Sequence, residues 1–79
     1  MKTITFDEFK TSVYNAIENR LKIHRRGQAA FNFIHYKYKV ARDVQFDEVH
    51  PVDCFYDDTK IDEFIEEAWK KYKKWYLKK

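Results

Sequence analysis

"DDTKIDEFIEEAWKKYKKWYLKK", residues 57–79, is the stretch that decides the fold. At about 100° per residue, Ile61, Phe64, Ile65, Ala68, Trp69, Tyr72, Trp75 and Tyr76 fall on one apolar stripe. Acids fill the first half of the segment and lysines the second, the order that the helix dipole favours. Asp58 or Thr59 stands where a cap is needed. Glu66 with Lys70 and Glu67 with Lys71 have the i,i+4 spacing in the better orientation. An amphipathic helix of this kind requires other apolar faces to cover it, and the rest of the chain supplies them.

Upstream, "TFDEF" (5–9) combines a Thr5 cap with Glu8 three residues later, a capping box. Phe6, Phe9, Val13, Tyr14, Ala16, Ile17, Leu21 and Ile23 then share one arc. Lys22, Arg25 and Arg26 collect at the expected end, and Gly27 reads as a left-handed stop. These features predict a first helix over 5–26. "QAAFNFIHYKYKVARDV" (28–44) is helical with a broader arc. Ala29, Phe33, Tyr36 and Val40 lie on one side, and Ala30, Phe31, Ile34, Tyr38 and Ala41 on the other. That breadth predicts a central helix touching two neighbours. A break near Tyr38 would leave a short extra helix at about 39–45. Residues 46–57 have no period, and His50-Pro51 favours extended backbone. Phe55 and Tyr56 are expected to anchor this connector, with at least one of them largely buried. The fold class is therefore all-α: a single domain over 1–79, of three to four helices, with an ordered aromatic connector before the C-terminal helix.

Composition agrees. A chain of 79 residues makes one small domain, burying about 60% of its unfolded surface. Aromatics at 19% strengthen so small a core. One Gly and one Pro are too few for a turn-rich β-sandwich or a disordered linker. One Cys excludes an internal disulfide and points to a reducing compartment. No stretch has the length of a signal peptide or of a membrane span, so a cytoplasmic protein is expected. Charge is distributed in blocks. Residues 1–42 carry nine Lys/Arg and three acids, 43–67 one Lys and ten acids, and 68–79 six Lys and no acid. Blocks of this kind mark a nucleic-acid patch, a polar partner surface or internal neutralisation.

Several chemistries can be weighed residue by residue. His50 and Cys54 are four apart, with His24 and His35 elsewhere, but a structural zinc site needs four ligands, usually in close pairs. Cys54, a His and Asp53 can be written as a nucleophilic triad, yet no nucleophile elbow, glycine loop or HExxH accompanies them. Neither a metal, a cofactor nor catalysis is expected. The strip Gln28, Asn32, His35, Lys39 and Arg42 could read base edges, beside Arg25 and Arg26 at a turn that superficially resembles a helix-turn-helix. The same strip serves equally as a solvated face. The lysines of "KKYKKWYLKK" need only be the wet side of the last helix. Arg20 lies inside an apolar arc and so needs carboxylates or carbonyls. Asp53, Asp57 and Asp58 are the candidates, which would make Arg20 a clamp on the connector.

"RRGQAAFNFI" followed by "DCFYDDTKIDEF" resembles a family of small phage and prophage-type proteins whose common form is R-x-G-Q-A-x-F-N, then D-P-F-Y-x-D-x-x-I-x-x-F. Arg26, Gly27, Gln28, Ala29, Phe31, Asn32, Asp53, Phe55, Tyr56, Asp58, Ile61 and Phe64 carry the match, over roughly residues 25–65. Cys54 departs from it, standing where the pattern has Pro, which weighs against a required thiol. The resemblance implies a helical phage accessory protein acting in the cytoplasm of a bacterial host. It also gives Gln28 and Asn32 a structural reading, as amides holding the connector in a clasp with Arg20, Asp53, Phe55, Tyr56 and Asp58. The function expected is non-enzymatic binding to a host or phage protein. The acidic band Asp47, Glu48, Asp62, Glu63, Glu66 and Glu67 and the basic strip Arg25, Arg26, His35, Lys39 and Arg42 are the contact surfaces, and their opposite signs permit self-association. The alternative is a nucleic-acid-binding module using the basic face.

Overall fold

The computed structural model describes residues 4–77. It contains four α-helices: α1 Phe6–Glu18, α2 Arg26–Lys37, α3 Ala41–Gln45 and α4 Ile61–Tyr72. A 3-10 turn at Asp58–Lys60 leads into α4, and a π-helical turn at Lys73–Leu77 continues it. There is no strand among the described residues. The expected place of the Tyr76 side chain, and the last two lysines, Lys78 and Lys79, lie outside the described residues.

The helix α1 starts as its sequence dictates. The Glu8 N–H donates to Thr5 Oγ1 at 3.1 Å, and the Thr5 N–H donates to Glu8 Oε1 at 2.8 Å. It ends eight residues before the expected stop. At the break, Arg20 curls back and donates from Nη1 to Ile17 O (2.7 Å) and from Nε to His24 O (3.0 Å). The guanidinium thus satisfies carbonyls that a continued helix would have used internally. Leu21 and Ile23 consequently leave the apolar arc and stand in solvent.

Gly27 is not the left-handed stop. It lies in the first turn of α2, buried, without a positive φ. The left-handed residue is Lys39, with φ 65°. The N–H groups of Tyr38 and Lys39 both donate to Ile34 O at 2.9 Å, closing α2. A side chain in this conformation costs about 1–2 kcal/mol relative to Gly. Lys39→Gly is therefore expected to stabilise the protein by about 0.5–1 kcal/mol, after allowing for the freer unfolded chain. An unchanged or lower urea midpoint would contradict this account of the α2 terminus.

Phe9, Val13 and Ile17 of α1, Ala30 and Ile34 of α2, Ala41 and Val44 of α3, and Phe64, Ile65 and Ala68 of α4 are fully buried together. Trp69 and Tyr72 are half-buried against this core. Trp75 is mostly exposed, because the wider π-helical turn carries it off the stripe. The ring of Phe9 lies 4.5 Å from that of Tyr38 and 5.4 Å from that of Trp69, and Phe31 sits 5.6 Å from Phe64. The broad arc of α2 is only half covered. Ala29 is buried on its second side, and Val40, which falls beyond α2 as the N-cap of α3, is buried too, but Phe33 is partly open and Tyr36 is 80% exposed.

Candidate functional site

The connector between α3 and α4 is clasped to α2, though not by the residues expected. Its buried anchors are Val52 and Cys54; Phe55 is half-buried and Tyr56 mostly exposed. The Val52 N–H donates to Val44 O at 3.2 Å. Asp53 receives the Phe55 N–H on Oδ1 (2.8 Å) and Gln45 Nε2 on Oδ2 (3.0 Å), folding the chain into an Asx turn. Cys54 Sγ donates to Gly27 O at 3.3 Å, and Asp58 Oδ1 accepts the Gly27 N–H at 2.8 Å. Asp58 therefore caps α2 from 31 residues away, at a helix whose own N-cap, Arg25, provides no side-chain bond. Asp57, rather than Asp58 or Thr59, caps the turn into α4 through the Thr59 N–H and hydroxyl. Those bonds hold its carboxyl below the usual range.

Arg20, Gln28 and Asn32 do not belong to the clasp. Arg20 is spent on the carbonyls that end α1, and no hydrogen bond of Gln28 or Asn32 reaches the connector among the described residues. Arg25 takes the expected role instead. It donates to Phe55 O at 3.1 Å and lies 5.6 Å over the Tyr56 ring. Gln45 and Gly27 were also missed. Gly27 has a sequence signal, being the single glycine, but that residue type alone does not separate a left-handed stop from a close approach.

The thiol of Cys54 is pushed up to about 12, chiefly by burial and then by the charge of Asp53. A buried, protonated thiol of this kind is a poor nucleophile and a poor metal ligand. Native protein at pH 8 should react with a thiol reagent at least tenfold more slowly than protein in denaturing urea. Equal rates would show that the connector is not seated. His50, its suggested companion as a ligand, is turned to Glu63 Oε2 at 2.9 Å. No group of three or more metal-ligating side chains is present among the described residues.

The acidic band is largely engaged within the molecule. Asp47 meets Lys71 Nζ at 3.2 Å and accepts the His50 N–H at 2.9 Å; those contacts, the backbone one first, lower its pKa. Asp62 accepts the Tyr14 hydroxyl, and partial burial followed by this bond raises the phenol to about 12. Glu63 faces His50 and Lys60. Glu67 pairs with Lys70 at i,i+3, and Lys71 is drawn away to Asp47, so neither expected i,i+4 pair forms. Glu48 and Glu66 have no ion pair among the described residues. On the basic side, Arg26 is paired with Glu18 at 3.2 Å and Arg25 with the connector. The strip from Gln28 to Arg42 is not one helix face, since α2 ends at Lys37, Lys39 is left-handed and Arg42 belongs to α3.

A different feature remains open. A groove of about 390 Å³ runs between α1, the 19–25 turn and the uncovered side of α2. Ala16, Ala29, Phe33 and Tyr36 provide apolar walls, while Arg20, His24, Asn32 and His35 bring polar groups to it. Leu21 (64% exposed) and Ile23 (82% exposed) stand in the turn between Arg20 and His24. Exposed apolar residues gathered beside a groove are characteristic of contact sites. The groove could not be read from periodicity, which placed Leu21 and Ile23 in the core.

No family model matches the chain, and no curated protein or solved structure shows significant similarity to it. The start of α2 and the connector meet in space. Gly27 contacts Cys54 and Asp58, and Phe31 packs edge-on to Phe55 at 5.5 Å. No helix among the described residues is long and apolar enough to cross a membrane.

Proposed function

We propose that this is a small, non-enzymatic, phage-type accessory protein that binds a host or phage protein in the bacterial cytoplasm, using the groove beside α2 as its contact face. The observation that carries this reading is the uncovered apolar side of α2, where Phe33 and Tyr36 line the groove, with Leu21 and Ile23 exposed in the turn that brings Arg20 and His24 to it. The polar edge of that face carries Arg20, with Lys22 in the adjoining turn and no acid between them. A partner surface that is apolar and acidic complements it. The motif resemblance supplies the phage setting and the cellular compartment.

Capture from bacterial lysate with wild-type protein and with a Leu21→Ser/Ile23→Ser/Tyr36→Ser variant tests the reading. Wild type should retain proteins that the variant loses. Identical retention by both would reject the groove as the contact face. Nucleic acid is the competing ligand class. Arg25 and Arg26 are already engaged internally, which weighs against it. A duplex or single-stranded mobility shift that weakens steeply with salt would replace this reading.

A further inference from the structure

Apart from the groove face, a second exposed apolar patch lies at the turn after α3. Phe46 is 69% exposed and Val49 90% exposed. The flanking charges have the opposite sign: Asp43 and Glu48 flank the turn, with Asp47 already met by Lys71, whereas residues 20–26 include Arg20, Lys22, Arg25 and Arg26 and no acid, with Arg26 already paired to Glu18. The two patches share no residue. The acidic turn is held by bonds to Lys71 and from the His50 N–H, and the groove is built by α1, α2 and the turn joining them. The turn is short and pinned, so seating it on another molecule orders little additional chain.

We propose that the protein assembles head-to-tail with copies of itself, the Phe46–Val49 turn of one copy seated on the Leu21–Ile23 groove face of the next. Apolar side chains on each patch cover those of the other, and Asp43 and Glu48 face Lys22. The contact is heterologous, so each open assembly keeps one free patch of each kind at its ends and growth continues until a ring closes. The solvent-exposed charges at its edge make it weaker in high salt. The proposal shares the acceptor face with the partner-binding reading and adds a donor patch which that reading does not use.

Sedimentation velocity of the full chain tests it. The weight-average sedimentation coefficient should rise with protein concentration and fall back as salt is added. Phe46→Ser/Val49→Ser removes the donor patch and Leu21→Ser/Ile23→Ser the acceptor. All four side chains are exposed, so both variants should fold, as far-UV circular dichroism would verify. Each should remain a monomer alone, and an equimolar mixture should form a dimer of twice the monomer mass that grows no further. The proposal is overturned if wild type is monomeric at every concentration, if either variant alone still assembles, or if the mixture stays monomeric. The donor-patch variant keeps the groove face. If wild type stays monomeric while wild type and this variant capture the same lysate proteins, the assembly proposal fails and the partner-binding reading stands.

Discussion

Gly27→Ala is expected to destabilise the protein by about 2 kcal/mol or more. A Cβ at this position would lie 1.9 Å from the carbonyl oxygen of Cys54, 3.0 Å from its carbonyl carbon and 2.9 Å from Asp58 Oδ1. Real side chains do not approach backbone so closely, and neither partner yields cheaply. The connector is held at this point by Cys54 Sγ on Gly27 O, by the Gly27 N–H on Asp58 and by Arg25 on Phe55 O. Moving it breaks the contacts that seat Val52 and Cys54 in the core. The improved helix propensity of Ala, about 1 kcal/mol, is small beside a clash with backbone that costs about 3 kcal/mol or more. A single core of this size rarely supplies more than about 3–5 kcal/mol in total. Far-UV circular dichroism and a urea melt would measure the loss, with Gln28→Ala, at the next and partly exposed position, as the control. A variant as stable as wild type would mean that the connector does not lie against α2.

Phe9→Ala should cost about 3–5 kcal/mol, the range for emptying a buried aromatic site. Phe9 is fully buried at the centre of a ring cluster, 4.5 Å from Tyr38, 5.4 Å from Trp69 and 6.0 Å from Tyr72. Those rings belong to the end of α2 and the second half of α4, so the cavity would loosen α1 from both at once. Chemical denaturation followed by tryptophan fluorescence should show a lower midpoint. Leu21→Ala is the contrasting case. The periodicity of α1 places Leu21 on the same apolar arc as Phe9, yet the helix ends first and Leu21 is exposed. Its replacement should change stability by no more than about 0.5 kcal/mol. A large loss at Leu21, or a negligible one at Phe9, would contradict the termination of α1 at Glu18.

The paired results separate what is legible in a helical pattern from what is not. Periodicity identified Phe9, Val13 and Ile17, and again Ile61, Phe64, Ile65 and Ala68, because a residue repeating with the helix turn must face one side. It did not stop α1 at the right place. The stop is made by Arg20 folding onto Ile17 O and His24 O, a choice between two sets of donors to the same carbonyls. Exposed Leu21 and Ile23 follow from that choice, and so does the groove face. The acidic connector was recognised as a clasp, with Asp53, Phe55 and Asp58 among its parts. Its partners on α2 were assigned to Gln28 and Asn32, whose amides have the right chemistry. Arg25 and the backbone of Gly27 take those roles because they lie nearest the connector once α2 begins at Arg26.

The sequence by itself determined the all-α class, the capped start of α1, the apolar stripe of α4 and the break between α2 and α3. These depend on period, capping and dipole, which act within a few residues along the chain. Only the tertiary structure decided that Asp58 caps α2 instead of α4, that Gly27 is an approach site and not a stop, and that Asp47, Asp62, Glu63 and Glu67 of the acidic band are engaged by Lys71, Tyr14, His50 and Lys70. It also decided that one side of α2 stays open beside exposed Leu21 and Ile23. Each of these depends on which groups from distant parts of the chain come within hydrogen-bonding or contact distance, and a carboxylate or glycine carries no local mark of the partner it will meet.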